Sequence, residues 1–292
     1  MTATIERPVT AGTGGAGALL PRRRRRDRPP ETAGGRAARW GLVAATVAGF
    51  AYLFTPIVVI VVFSFNKPRG KFNLLWQEFT LDNWADPFAK EALTDAMVLS
   101  LEVAAVAAGA ATVLGTLVAL ALVRYRFTGS RLVNLLLLLP LTTPEIVLGS
   151  SLLTLFIDRG VQRGFWTIVI AHVLFCTSFV ALTVKARLRG FEWTLEDAAM
   201  DLGAGPWRTF SRVTLPLIVP GIIAAALLSF ALSIDDFIVT FFNAGAEVTF
   251  PLQVFGASRA ELSPQIHVLA TMVLLVSVAV MGLGVLAGRR RT

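Results

Sequence analysis

The stretch TLEDAAMDLGAGPWRTFSRVTLPLIVPG, from Thr194 to Gly221, separates two long apolar runs and contains a Gly-Ala-Gly-Pro break. Thr194 followed three residues later by Asp197 is a capping-box pattern, which predicts that a helix begins here with these two side chains closing its first turn. Gly203 is placed to end that helix in the left-handed conformation. Pro206 suits the first position of a second helix, which runs into the next apolar run. The stretch therefore predicts a short helical hairpin fused to a long apolar helix.

The first helix of this hairpin has a narrow apolar face. Four residues fall on it at helical spacing, with small side chains in the middle: Leu195, Ala198, Ala199 and Leu202. Isolated helices this short are marginal in water, so another surface must hold the hairpin. Two interpretations stay open on physical grounds: the face packs on the protein's own surface, or it docks into a cleft on another protein.

The rest of the chain has the composition of a membrane protein. It is 55% hydrophobic and 16% charged, with a mean hydropathy of +0.68, whereas a soluble domain has a smaller apolar share. A helix needs about 20 apolar residues to cross a hydrocarbon core. We therefore predict an all-α polytopic protein with six transmembrane helices, in the apolar runs Trp40–Phe65, Ala96–Val123, Leu132–Phe156, Phe165–Ala186, Leu215–Phe242 and Ile266–Gly288.

The positive charge is distributed unevenly between the loops. Of the 27 lysines and arginines, 20 lie in the N-terminal tail, the second and fourth loops and the C-terminal tail, if Lys185 at the end of the fourth run is counted with the fourth loop. The positive-inside rule then places both termini and the hairpin in the cytoplasm. We interpret residues 1–38, with the arginine-rich run Pro21–Pro30, as a disordered cytoplasmic tail, and residues 39–292 as the membrane domain. Because the charge flanks membrane runs, nucleic acid is not a predicted partner.

The sequence offers little for an active site. Gly70-Lys71 is followed by Phe72, so there is no phosphate loop and we predict no ATP site in this chain. A single cysteine, Cys176, and two histidines supply neither a metal cluster nor a nucleophilic triad. We predict a chain that is not an enzyme and binds no cofactor or metal, in which His172 donates a packing hydrogen bond between helices.

The hairpin resembles a known signature. Asp197-Ala198-Ala199, then Gly203, then nine residues, then Val213-Thr214-Leu215-Pro216 resembles the EAA motif of ATP-binding-cassette importer permeases, with Asp197 in place of Glu and Val213 in place of Ile. The resemblance implies the type I importer permease fold, in which this hairpin is the coupling helix region that seats in a groove of the ATPase subunit. It assigns that role to Asp197, Ala198, Ala199, Gly203, Leu215 and Pro216.

Four further stretches resemble the second permease subunit of spermidine/putrescine importers: Phe79–Trp84, Leu139–Gly149, Ala171–Leu188 and Leu232–Phe242. The resemblance implies a multi-pass subunit of the bacterial inner membrane that pairs with a second permease. It also implies two ATP-binding subunits, which hold ATP and Mg²⁺, and an extracytoplasmic solute-binding protein that docks on the outer loops 66–94 and 242–265. Relatives that transport ferric iron or thiamine share this plan, so other small solutes remain alternatives.

Four acids lie in or beside the apolar runs: Glu102, Glu145, Asp235 and Asp236. Charged groups in membrane spans are costly and usually face a cavity, a partner or the interface. A carboxylate-lined path suits a polycation, because each ammonium needs an anionic or aromatic partner in place of water. We predict that these acids line the substrate path, or else form interfacial or inter-subunit contacts. Pro140 and Pro144 shortly precede Glu145 and are expected to open the helix backbone there.

Two rival functions were considered. A secondary transporter would favour inverted repeats, but only LPLTTPEI from Leu139 and LPLIVPGI from Leu215 match, which is too short for a repeat. A membrane-embedded enzyme would cluster its catalytic groups in one plane. Neither function accounts for the hairpin.

Overall fold

Helices dominate the part of the chain that can be described. The computed structural model describes the backbone of residues 33–289 and, within it, the side chains of residues 39–279 and 282. In this part the only β-type pairings are two isolated bridges, Asn66–Phe79 and Phe72–Leu262. The helices are α1 (Ala33–Phe63), α2 (Asp82–Ala85), α3 (Glu91–Arg124), α4 (Ser130–Thr142), α5 (Glu145–Asp158), α6 (Phe165–Leu188), α7 (Thr194–Asp201), α8 (Pro206–Thr209), α9 (Leu215–Ile234), α10 (Ile238–Asn243), α11 (Phe250–Ala260) and α12 (Pro264–Arg289), with a π-helical turn at Phe210–Thr214 between α8 and α9. The predicted all-α class is confirmed.

The predicted membrane runs coincide with helices. Four described helices are long and apolar enough to cross a membrane: Arg39–Phe63, Glu91–Arg124, Phe165–Leu188 and Pro206–Ile234. The bent pair α4 and α5 makes a fifth span if it is counted as one. The sixth run lies in α12, whose described apolar part, Pro264–Ala279, is shorter. Residues 1–32 of the predicted tail lie outside the described residues, and α1 begins at Ala33, inside that predicted tail.

Residue contacts divide the chain into two units, one ending at Thr55 and the other beginning at Pro56. In the first unit, residues 33–55 are helical, and the side chains described from Arg39 onward are exposed. The second unit contains the remaining elements and the hydrophobic core. Proposals about the transport path therefore concern the second unit alone.

The core of the second unit is the packing of α3, α6 and α9. Small residues form the buried stripe of α3: Ala104, Ala107, Ala108, Ala111, Gly115 and Ala119. At Gly115 the helices approach so closely that an added Cβ would lie 2.7 Å from Val180 Cβ and 2.9 Å from the Ala181 backbone nitrogen. Small residues of this kind allow close helix packing where lipid provides no hydrophobic drive for association.

The third predicted span is broken rather than continuous. Helices α4 and α5 meet at an angle of 107°. Pro144 disfavours the helical conformation of the residue before it, and Thr143 is accordingly extended, with φ −77° and ψ 131°. Pro140 is accommodated inside α4, so the break occurs only at the second of the two prolines. Glu145 is left at the first position of α5, where the helix dipole favours a negative charge.

Candidate functional site

The hairpin has the predicted turn. Gly203 has φ +84°, in the left-handed region. Its amide donates to the Met200 carbonyl at 2.9 Å, and the Ala204 amide donates to the Ala199 carbonyl at 3.1 Å. These two bonds satisfy carbonyls at the end of α7 in the manner of a Schellman motif. Pro206 then opens α8 at its first position, as predicted.

The predicted capping box is wrong. The helix begins at Thr194 itself, after Trp193, which already has helical angles of φ −64° and ψ −22°. The Glu192 and Trp193 carbonyls accept the amides of Leu195, Glu196 and Asp197. Because those first-turn amides are occupied, the Thr194 hydroxyl has no amide to accept, and no side-chain cap is present at this described terminus. Asp197 is exposed and makes no capping hydrogen bond at this terminus.

The buried acid of α7 is Glu196, which the sequence patterns did not single out. Its side chain is 5% exposed. Its carboxylate accepts from Arg124 Nη1 at 3.0 Å and pairs with Arg124 Nη2 at 2.9 Å. The Thr214 hydroxyl, from the π-helical turn, also donates to it. Arg124 ends α3, a distance of 72 residues along the chain, so no local pattern could have predicted this pair.

The outer surface of the hairpin is apolar and open. Leu202 is 90% exposed and Trp207 is 77% exposed. Of the six predicted coupling residues, Asp197, Ala198, Gly203 and Pro216 are exposed, while Ala199 and Leu215 are half-buried. The predicted apolar face therefore does not pack fully on the protein's own surface, which favours the second of the two interpretations, docking on a partner.

A cavity of about 760 Å³ lies where the α4–α5 break faces α6 and the end of α9. This volume falls within the usual range for small-molecule sites. Its wall is formed by residues 140–145 and Leu148, by Phe175 and Phe179, and by Leu232 and residues 235–239. Three of the four predicted acids, Glu145, Asp235 and Asp236, are thereby brought to one place from elements about 90 residues apart.

The two adjacent aspartates have different surroundings. Asp236 Oδ2 accepts from the backbone amide and the hydroxyl of Thr240, each at 2.8 Å, and lies 3.3 Å from His172 Nε2. His172 is buried and its Nδ1 is 2.7 Å from the Ser233 hydroxyl. Asp236 therefore joins α10 to α6, and His172 has the packing role that was predicted for it.

Asp235 and Glu145 are exposed, and neither carboxylate has a partner from another residue among the described residues; Asp235 accepts only from its own backbone amide. Both lie on the cavity wall between apolar and aromatic side chains. A second, more apolar cavity of about 600 Å³ shares Asp235 and Phe237 with the first. Asp235 thus lies on the boundary between two cavities.

Glu102 is the predicted acid that lies elsewhere. It is exposed on α3 and lines neither of these two cavities. Its predicted place in the path gains no support from the geometry, and the inter-subunit or interfacial alternative remains open for it.

Comparisons with known proteins agree with this architecture. Residues 111–292 match the family described as binding-protein-dependent transport system inner membrane component. The chain is 38% identical over 259 residues to the spermidine/putrescine transport system permease protein PotC of Escherichia coli (strain K12), covering 88% of this chain and 96% of PotC. It is 39% identical over 243 residues to the putrescine transport system permease protein PotI of the same strain, covering 80% of this chain and 85% of PotI.

A solved structure is similar in fold. A bacterial ABC transporter involved in the import of the acidic polysaccharide alginate matches with a TM-score of 0.65 at 15% identity, covering 88% of this chain and 96% of that one. At this identity the likeness concerns the fold alone. One fold hosts many solutes, so the choice of solute must be argued from the site.

Proposed function

The chain belongs to the binding-protein-dependent transport system inner membrane components, the membrane subunits of ATP-driven importers, and we propose that it carries a polyamine such as spermidine or putrescine across the bacterial inner membrane. It is a transport subunit and not the one that hydrolyses ATP. The relatives PotC and PotI are named for polyamine transport, and the chemistry of the cavity supports the same class of solute here.

The observation that carries the proposal is the pair of unpartnered carboxylates in one cavity. Glu145 and Asp235 reach it from the α4–α5 break and the end of α9. Both carboxylates are exposed toward the cavity, so a cation that enters it can pair with them without breaking an internal ion pair. A polyamine supplies ammonium groups joined by methylene chains, and the cavity offers Phe175, Phe179 and Phe237 to those chains and to the ammonium charge.

Several partners follow from this role. A second permease subunit completes the path, and a solute-binding protein delivers the polyamine to the outer loops 66–94 and 242–265. Two ATP-binding subunits dock on the hairpin, whose exposed Leu202 and Trp207 suit a cleft on another protein. Both termini and the hairpin face the cytoplasm, as the loop charges indicate.

Coupling uses the continuity of the hairpin with α9. Residues from Pro206 to Ile234 form one helical segment, interrupted in hydrogen-bonding pattern only by the π-helical turn. Closure of the ATPase dimer pushes the hairpin and tilts α9. The far end of α9 carries Asp235 into the cavity, so the tilt changes the site that binds the cation. Access then switches from the outside to the inside.

The test is uptake by proteoliposomes that contain the complete importer. Glu145→Gln and Asp235→Asn are each expected to lower spermidine uptake about tenfold or more, because a hydrogen bond to a charged group is worth about 1.5–3 kcal/mol. Glu102→Gln is the matched control, since it removes an acid that lines neither cavity, and it is expected to keep uptake. Wild-type uptake in both cavity variants at normal assembly would refute the cation path.

Competition separates this solute from the alternatives. Unlabelled putrescine and spermidine are expected to compete with labelled spermidine, whereas thiamine and ferric ion are not. Saturable uptake of labelled thiamine or ferric ion, with no saturable uptake of labelled spermidine, would replace the proposed solute and keep the importer.

A further inference from the structure

The ion pair between Arg124 and Glu196 joins two elements that the chain does not join locally. Arg124 is the last residue of α3, and Glu196 lies in the first helix of the hairpin. The two terminal guanidinium nitrogens, Nη2 and Nη1, contact the carboxylate at 2.9 and 3.0 Å. A bidentate pair of this kind fixes orientation as well as distance. The hairpin is thus fixed to α3 as well as being continuous with α9.

Neighbouring groups hold this pair in place. Trp193 lies beside the guanidinium of Arg124, with 5.8 Å from Cζ to the ring centroid, and Phe191 packs against that ring at 4.8 Å. Thr214 donates its hydroxyl to the same carboxylate from the π-helical turn. Short π-helical turns occur often at functional sites. Glu196 is therefore the meeting point of α3, α7 and the start of α9.

Separation of Arg124 from the buried Glu196 is unfavourable. Glu196 is 3% exposed as a residue, so without Arg124 its carboxylate would be left buried with only the Thr214 hydroxyl. The Arg124 side chain is 37% exposed, but its removal would still leave the buried Glu196 carboxylate without a counter-ion, which is unfavourable. The pair therefore stays closed when the hairpin is loaded, and a displacement of the hairpin reaches α3 together with α9.

We propose that Arg124, Glu196 and Thr214 form a tie that transmits movement of the hairpin to α3 as well as to α9, and so sets the amount of solute transported per ATP hydrolysed. This inference rests on the proposed function, in which the hairpin is the docking site for the ATPase. The three residues are positioning residues, because they touch neither the cavity nor the exposed apolar surface of the hairpin. Helix α3 packs along both α6 and α9, so its displacement acts on the whole core.

The decisive variant replaces both partners with apolar residues, Arg124→Leu with Glu196→Leu, because such double replacements of buried pairs often preserve stability. The complete importer is reconstituted. Three quantities are measured together: the amount of ATPase subunit that co-purifies with the chain (ATPase recovery), the rate of ATP hydrolysis and the rate of uptake. Recovery and hydrolysis are expected within about twofold of wild type, since Leu202 and Trp207 are untouched. Uptake per ATP is expected to fall roughly fivefold or more, the lower end of measured coupling between sites.

The matched control removes one acid and one arginine from an exposed place. Asp158 ends α5 and Arg159 follows it, and both residues are exposed. Neither lines the cavity, and neither lies in the hairpin or in the outer loops 66–94 and 242–265. Exposed charges contribute little, so the double variant Asp158→Leu with Arg159→Leu is expected to keep uptake per ATP. A fall equal to that of the first double variant would overturn the proposal.

A covalent rescue separates transmission from folding. In the variant Arg124→Cys with Glu196→Cys, a short bis-maleimide reagent can rejoin the two positions, and the native Cys176 is fully buried. Uptake per ATP is expected to be low before linking and to recover after it. Failure to recover overturns the tie, and so does a wild-type ratio in the leucine double variant or in the unlinked cysteine double variant of Arg124 and Glu196. A wild-type importer that hydrolyses ATP without polyamine uptake refutes the proposed function instead. Stimulation of hydrolysis by the solute-binding protein then becomes the readout, and equal stimulation in wild type and the leucine double variant again overturns the tie.

Discussion

At the scale of single residues, Asp235 and Asp236 show how neighbouring acids acquire different roles. Asp236 is held by Thr240 and His172 at the corner between α9 and α10. Asp235 has no such partner among the described residues and lies on the cavity wall. The sequence motif predicts that both acids matter, but it cannot say which one is occupied by internal hydrogen bonds, because that depends on where His172 lies in the folded core.

Asp236→Asn is expected to lower stability by about 1–3 kcal/mol, because the hydrogen bonds that Asp236 accepts would no longer be made to a charged group. All three contacts use Oδ2, so an asparagine oxygen at that position keeps the Thr240 bonds but loses the negative charge that strengthens them and faces His172. The measurement is the midpoint of thermal unfolding of the purified complex, compared with Asp235→Asn, which is expected to leave it unchanged. Asp236→Asn with an unchanged midpoint and lost uptake would assign the substrate contact to Asp236 instead.

At the scale of helices, close approach decides which glycines can be replaced. Gly115→Ala is expected to destabilise the protein by about 1–3 kcal/mol, because the new methyl group would overlap Val180 and the backbone of Ala181. Gly109 lies on the same helix with nothing within 4 Å of an added Cβ, so Gly109→Ala is the control and is expected to be neutral or slightly stabilising. Thermal unfolding in detergent measures both. Equal changes in the unfolding midpoint for Gly115→Ala and Gly109→Ala would show that α3 and α6 do not pack as described.

The hairpin turn offers a second matched pair. Gly203 has φ +84°, whereas Gly205 has φ −67°, and an added Cβ meets nothing within 4 Å at either position. Gly203→Ala places an L-residue in the left-handed region, at a cost of roughly 1–2 kcal/mol. We expect it to reduce recovery of the ATPase about fivefold or more, while Gly205→Ala keeps recovery at the wild-type value. Recovery that is lost with Gly205→Ala but kept with Gly203→Ala would place the docking contact elsewhere.

The elements also show what the sequence could and could not predict. Hydropathy located the six apolar runs, and Pro144 indicated the break, because both signals are local. The capping box at Thr194 failed because the preceding residue is already helical, a conformation that the four-residue pattern does not encode. The Arg124–Glu196 pair could not be predicted at all, since it depends on the packing of α3 beside the hairpin. Cavity acids were predicted as a set, and only the fold separated Glu102 from the others.

At the scale of the whole molecule, the predicted orientation in the membrane rests on charge rather than on packing. The outer loops carry few of the lysines and arginines, and 20 of the 27 lie on the predicted cytoplasmic side. Such asymmetry sets the direction in which helices insert. The orientation also decides whether the hairpin can meet ATPase subunits, so the proposed coupling depends on it.

Cysteine labelling in intact cells tests this orientation. Cys176 is fully buried, so the chain offers little background to a maleimide that cannot cross membranes. Gly70 lies in the predicted outer loop with open space around it, and Arg126 is exposed in the predicted inner loop. Gly70→Cys is expected to be labelled in intact cells, and Arg126→Cys only after permeabilisation. The reversed pattern would place the hairpin outside, where no ATP-driven subunit could push it, and would refute the importer mechanism as a whole.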